Sequence, residues 1–169
     1  MQFLFVRRLA VAGVVLALLA GFALLEPRTA LADDDVKDIY IIINADPTDA
    51  KTFADEPGDA TLKRIFLKED KTWSDGTEFY VVAQTGNAEF SIFRKKVLDK
   101  TEEQLAKHWS DKDSVDGTKP PKTVKTSADV FKYVSKKKEA IGYISKSYYS
   151  NTLTEDEKKK IKTIKTISK

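Results

Sequence analysis

Apolar residues fall along this chain in short dense runs, and polar stretches bearing glycine or proline separate them. The spacing inside each run assigns it to a strand or a helix. Ile39-Tyr40-Ile41-Ile42-Ile43 is β-branched and aromatic, and the window 36–45 is too short for a strong helix, which predicts an inner strand. Residues 44–59 contain Pro47, Pro57 and Gly58 and read as a loop. Asp59 is a candidate cap for a helix over 60–68, with Leu62, Ile65, Phe66 and Leu67 on its apolar face. Trp73-Ser74-Asp75-Gly76-Thr77 has turn chemistry, and Phe79-Tyr80-Val81-Val82 predicts a second buried strand.

A helix beginning near Ala88 carries Phe90, Phe93, Val97 and Leu98 at helical spacing. Thr101-Glu102-Glu103-Gln104 fits a capping box, which predicts a helix over 102–109. Residues 111–122, rich in Asp, Gly and Pro, read as a surface loop. Ser127 is a candidate cap for a helix whose stripe is Val130, Phe131 and Val134, and Ala140-Ile141-Gly142-Tyr143-Ile144 predicts a strand covered on both faces. The lysine–isoleucine–threonine alternation over 159–168 suggests a last strand. This order predicts an α/β chain with a single small mixed sheet and helices on its faces. The expected core is Ile41, Ile43, Phe66, Val81, Phe93, Phe131, Ile141 and Tyr143.

The start of the chain has a different character. Arg7 and Arg8 precede an unbroken apolar run over 9–25, and Ala30-Leu31-Ala32 then leads into three aspartates. That is the order of a secretory leader cleaved after Ala32, with an uncleaved anchor as the alternative. The expected organisation is therefore a signal peptide over 1–32 and one domain over 33–169, placed in the periplasm or outside the cell. Without the leader, which holds Arg7, Arg8, Arg28 and Glu26, the net charge falls from +3 to about +1. A balance so close to neutral gives no reason to expect nucleic acid as a partner. The chain has no cysteine, which excludes disulfides, thiol catalysis and cysteine-held zinc.

Four stretches in order resemble one family. "TLKRIFLKEDKTWSDG" over 61–76, "FYVVAQ" followed by "FSIFRKKVL", "VLDKTEEQLAKHW" over 97–109, and the helix leading into "AIGY" at 140–143 are similar to segments of the substrate-binding proteins of phosphate ABC transporters. The resemblance spans about 39–148 and implies one lobe of a periplasmic binding protein. Full members have two lobes that close on the ligand; this chain resembles a short, single-lobe form. The implied partners are phosphate or another small oxyanion and an ABC permease. A single-lobe domain that has lost its ligand and contacts another envelope protein is the alternative.

In the larger relatives the second strand ends in an arginine-bearing loop and then Ser-Gly-Thr at a helix start, where free N–H groups and the helix dipole attract phosphate. The corresponding stretch here is 82–89. Ala83 or Gln84 stands where the arginine would be, and Ser-Gly-Thr falls on Asn87-Ala88-Glu89. The resemblance thus implies Thr85, Gly86 and Asn87 as ligand-binding residues, opposed by the Glu89 carboxylate in the first turn. Plain helix capping by Asn87 explains the same residues. Lys95 and Lys96 are expected on a solvated face. His108, the only histidine, lacks neighbouring ligands and reads as a surface or satisfied residue. Asp111, Asp113 and Asp116 fail the spacing of a calcium loop, with Val115 and Lys122 at ligand positions. No catalytic pairing is visible, so the chain reads as a non-enzyme without cofactor or metal. Tyr143 is expected in the core, and Trp109, Tyr148 and Tyr149 either there or in an exposed aromatic patch.

Overall fold

A computed structural model describes residues 36–46, 53 and 55–169. The expected leader over 1–32 lies outside the described residues. The elements in chain order are β1 (Asp38–Asn44), α1 (Asp59–Phe66), β2 (Tyr80–Gln84), α2 (Ala88–Phe93) continuing as a π-helical turn (Arg94–Leu98), α3 (Glu102–Asp116), β3 (Lys122–Val124), α4 (Ser127–Val134), β4 (Ala140–Ser145), α5 (Lys146–Asn151), α6 (Glu155–Lys158) and β5 (Ile161–Ser168).

The five strands form one mixed sheet in the order β3-β2-β4-β1-β5. β2 runs parallel to β3 and to β4, while β1 pairs antiparallel with β4 and with β5. β4 lies in the middle, and all six of its residues are buried. Successive strand residues point to opposite faces. Ile41 and Ile43 therefore join Val81, Ile141, Tyr143, Phe66 and Phe93 under α1, α2 and the π-helical turn. Ile42 joins Val82, Ile144, Val130 and Val134 under α4. The unbroken apolar run in β1 follows from this double cover.

Gly142 is set by how closely α4 approaches the sheet. A Cβ there would lie 2.6 Å from Val130 Cγ1 and 3.1 Å from the Val82 carbonyl oxygen. Gly142→Ala is expected to push α4 off the sheet and cost about 1–3 kcal/mol, read as a lower urea midpoint with unchanged slope.

Several local expectations are corrected. Phe131 is not a core residue: Val130 and Val134, four apart, take the buried stripe, and Phe131 lies to the side, half-buried. The cap of α4 is Thr126, whose hydroxyl accepts from Asp129 N, and Ser127 is the first helical residue. Gly58 precedes α1 without a side-chain cap, and Asp59 lies inside the first turn. The capping box at Thr101 and Gln104 forms as expected, but α3 runs on to Asp116 and ends at Gly117. Residues 111–116 are thus helical and the loop is confined to 117–121. β3, α5 and α6 were not anticipated.

Candidate functional site at the ends of the parallel strands

β2, β3 and β4 run in one direction, so their carboxyl ends lie together. That end of a parallel sheet is where open α/β folds place ligands. β2 stops at Gln84, and Gly86 turns the chain with φ +70°. Asn87 then caps α2, its Oδ1 accepting from Phe90 N at 2.9 Å. From the neighbouring chain segments, Thr126 caps α4 and Ser145 caps α5.

One buried polar network ties these helix starts together. Gln84, 1% exposed, donates from Nε2 to the Tyr143 carbonyl oxygen at 2.8 Å and to Ser127 Oγ at 3.5 Å. Its Oε1 accepts from Asn87 Nδ2 at 2.6 Å, and the same Asn87 nitrogen donates to the Lys125 carbonyl oxygen at 3.0 Å. Tyr143 Oη accepts from Gln84 N at 2.9 Å and donates to the Gln84 carbonyl oxygen at 3.2 Å. Burial pushes this phenol well above its ordinary range; the bond to Gln84 opposes the shift and the Glu89 charge adds to it. Tyr143 is therefore a neutral donor at any working pH.

Ser127 Oγ donates to Glu89 Oε1 at 3.1 Å and accepts from Ser145 N at 3.0 Å. Glu89 sits in the first turn of α2 and is only 9% exposed. The start of α2 thus already faces a carboxylate of the chain itself. A negative group at a helix start is favourable, and this one also receives a hydroxyl bond.

Thr85, Gly86 and Asn87 do come together at this end of the sheet. Thr85 and Gly86 are exposed, whereas Asn87 is committed through both of its side-chain atoms to bonds inside the protein. The arginines among the described residues lie elsewhere: Arg64 pairs with Asp70 at 2.9 Å, and Arg94 turns to the Lys100 carbonyl oxygen and Glu102. Lys95 and Lys96 are exposed on the π-helical turn. His108 Nε2 lies 3.3 Å from the Leu67 carbonyl oxygen, and among the described residues no cluster of three or more His, Cys, Asp or Glu forms. Tyr148 and Tyr149 are half-buried against the α4-side cluster, and Trp109 against the other. Ser127 and Ser145 were missed as network members. A glutamine ending an apolar strand was the one sequence signal that something buried and polar lay at this position.

The comparisons with known proteins fit this architecture. The fold is that of part of the substrate-binding proteins of phosphate ABC transporters. The chain is similar to such a protein from Clostridium perfringens, solved with bound phosphate, at TM-score 0.53 and 18% identity over 77% of this chain and 46% of that one. PstS from Borrelia burgdorferi gives TM-score 0.52 and 15% identity over 78% of this chain and 47% of its own. An ABC-type phosphate transport receptor from Vibrio cholerae gives 0.52 and 14%, over 77% and 47%. This chain therefore spans just under half the length of those proteins, and at such identities the likeness is one of fold. No family model and no curated protein matches the chain.

Proposed function

We propose that this chain is an exported binding module on the scaffold of phosphate-importer receptors, one that holds a phosphate-like oxyanion only weakly at Thr85, Gly86 and Asn87. The observation that carries this reading is the buried Glu89 carboxylate at the start of α2, bonded to Ser127 Oγ at 3.1 Å. It supplies the negative charge that the helix start would otherwise draw from solution. The loop over 85–87 has no arginine to add a positive charge for an incoming anion. A second reading is an envelope interaction domain without an anion ligand. The closure of every Asn87 side-chain bond within the protein favours it.

Isothermal titration with phosphate and with sulfate separates the two. The mature chain is expected to bind in the millimolar range or weaker. Glu89→Gln, which keeps the shape and removes the charge, is expected to tighten binding several-fold. Asn87→Ala is expected to weaken binding and to destabilise α2 by about 1 kcal/mol. Tight wild-type binding that Glu89→Gln leaves unchanged would place the ligand elsewhere. Silence from all three forms would leave the interaction domain as the reading.

Export rests on the basic start, the apolar run over 9–25 and Ala30-Leu31-Ala32. Mass spectrometry of the exported protein is expected to find Asp33 at its amino terminus. Recovery of an intact Met1 terminus in the membrane fraction would overturn cleavage.

A further inference from the structure

Helix α3 is 15 residues long and buries none of them. It is tethered along one side, through His108 to the Leu67 carbonyl oxygen and through Lys112 Nζ, 3.5 Å from the Lys68 carbonyl oxygen. Its apolar side chains Leu105 and Trp109, four apart, are half-buried against the core cluster under α1 and α2. Between them and the β3 margin of the sheet, where Ala83 and Thr123 pair in register, a cleft of about 330 Å³ remains. Its floor is aromatic. Phe93 stacks on Tyr143 with centroids 4.4 Å apart and planes 13° apart, and Phe66 lies 4.4 Å from Phe93.

We propose that this cleft is a binding site for a neutral, planar ring compound of two or three rings. Its volume lies at the lower end of the range for small-molecule sites, and such sites combine apolar and aromatic walls with a few polar groups. The walls carry no lysine, arginine or histidine. The one charged residue there, Glu102, has its carboxylate 3.9 Å from Arg94 Nη2. An anion gains nothing in such surroundings, which distinguishes this cleft in chemistry from the helix start at Asn87, although Thr85 borders both. The hydroxyls of Thr85 and Thr123, both exposed, stand at the mouth for a polar end of the ligand. Tyr143 Oη and the Gln84 amide are already spent on each other and on their neighbours. A protein partner would need an apolar apron around the opening. The only fully exposed large apolar residue among the described residues is Val115, which does not line the cleft. Of the apolar lining residues only the small Ala106 and Pro120 are exposed, too narrow a rim for a protein partner and enough for a small molecule.

The test compares two fluorescent probes that share a ring system on the full mature chain. These are neutral 1-(phenylamino)naphthalene and its anionic sulfonate, 8-anilinonaphthalene-1-sulfonate. The neutral probe is expected to bind saturably, one per chain, at micromolar concentration, and the sulfonate at least tenfold more weakly. Ala106→Trp and Thr123→Phe fill the cleft from opposite walls and are each expected to weaken the neutral probe at least tenfold. Val115→Ser, exposed and outside the cleft lining, is expected to leave it unchanged. The proposal is overturned by absence of saturable binding, by equal affinity for both probes, or by folded cleft variants that bind like wild type. It is equally overturned if sedimentation shows wild-type self-association that the cleft variants abolish, since a second copy would then occupy the cleft. The probe comparison needs no variant, so it stands even where a substitution fails to fold.

Discussion

Truncation of Phe93 to alanine is expected to cost about 3–5 kcal/mol, the range for removing a large aromatic side chain from a packed core. Phe93 is 1% exposed and sits at the centre of a three-ring contact, with Phe66 and Tyr143 each 4.4 Å away. It is also the last residue of α2, where the helix widens into the π-helical turn, so the cavity would open at the joint between two geometries. Neighbouring rings cannot collapse into it without breaking the Tyr143–Gln84 bonds behind them. The control is Phe131→Ala. That ring is half-buried beside the α4 stripe, and its loss is expected to cost about 1 kcal/mol. Urea unfolding of the two variants side by side checks the contrast. Equal midpoints would mean that the aromatic stack does not anchor this face of the sheet.

Ser127→Ala is expected to cost about 2–4 kcal/mol despite removing a single oxygen. That oxygen donates to Glu89 and accepts from Ser145 N and from Gln84 Nε2, so one substitution strips partners from three groups. Leaving a buried backbone N–H unmet costs about 1–3 kcal/mol, and a buried carboxylate deprived of a donor costs more than a neutral group. Adding Glu89→Gln to Ser127→Ala replaces the stranded charge by a neutral amide. The double variant is therefore expected to lose less than the sum of the two single losses, a coupling that a double-mutant cycle reads directly. A Ser127→Ala protein within about 0.5 kcal/mol of wild type, the scatter of ordinary surface changes, would refute the network's contribution.

The sheet was legible where both of its faces are covered. A strand packed on two sides must be apolar throughout, and β1, β2 and β4 announce themselves that way. β3 is three residues at the sheet margin with Lys122 and Thr123 exposed, so no apolar pattern marks it. α5 and α6 bury none of their own residues and leave no apolar stripe to read. The second half of α3 has a single apolar residue after Trp109, the exposed Val115, and no apolar stripe, so it reads equally as loop or helix. Asn87 was legible as a cap because that bond is made within four residues. The network around it was not, because Gln84 meets Tyr143 across 59 positions and Glu89 meets Ser127 across 38. The α4 stripe was misjudged for a geometric reason. Val130, Phe131 and Val134 span about 100° of the helix; the pair four apart meets the sheet squarely, and Phe131, at the edge of that arc, is left half-buried.

The partners of β1 lie far along the chain: Ile39 sits opposite Ser145 and Asp38 opposite Ser168, and Lys169 N reaches the Lys37 carbonyl oxygen at 2.7 Å. β1 must therefore wait, unpaired, until β4 has been made, and its other edge stays open until β5 follows. Loop closure over such spans is slow, and the sheet cannot close while the chain is still threading. Five consecutive apolar residues stay open to a chaperone throughout that interval. The same adjacency means that a short linker joining Lys169 to Lys37, with a new break in the 117–121 loop, would preserve every strand pairing among the described residues while turning the β1–β5 contact into a local one.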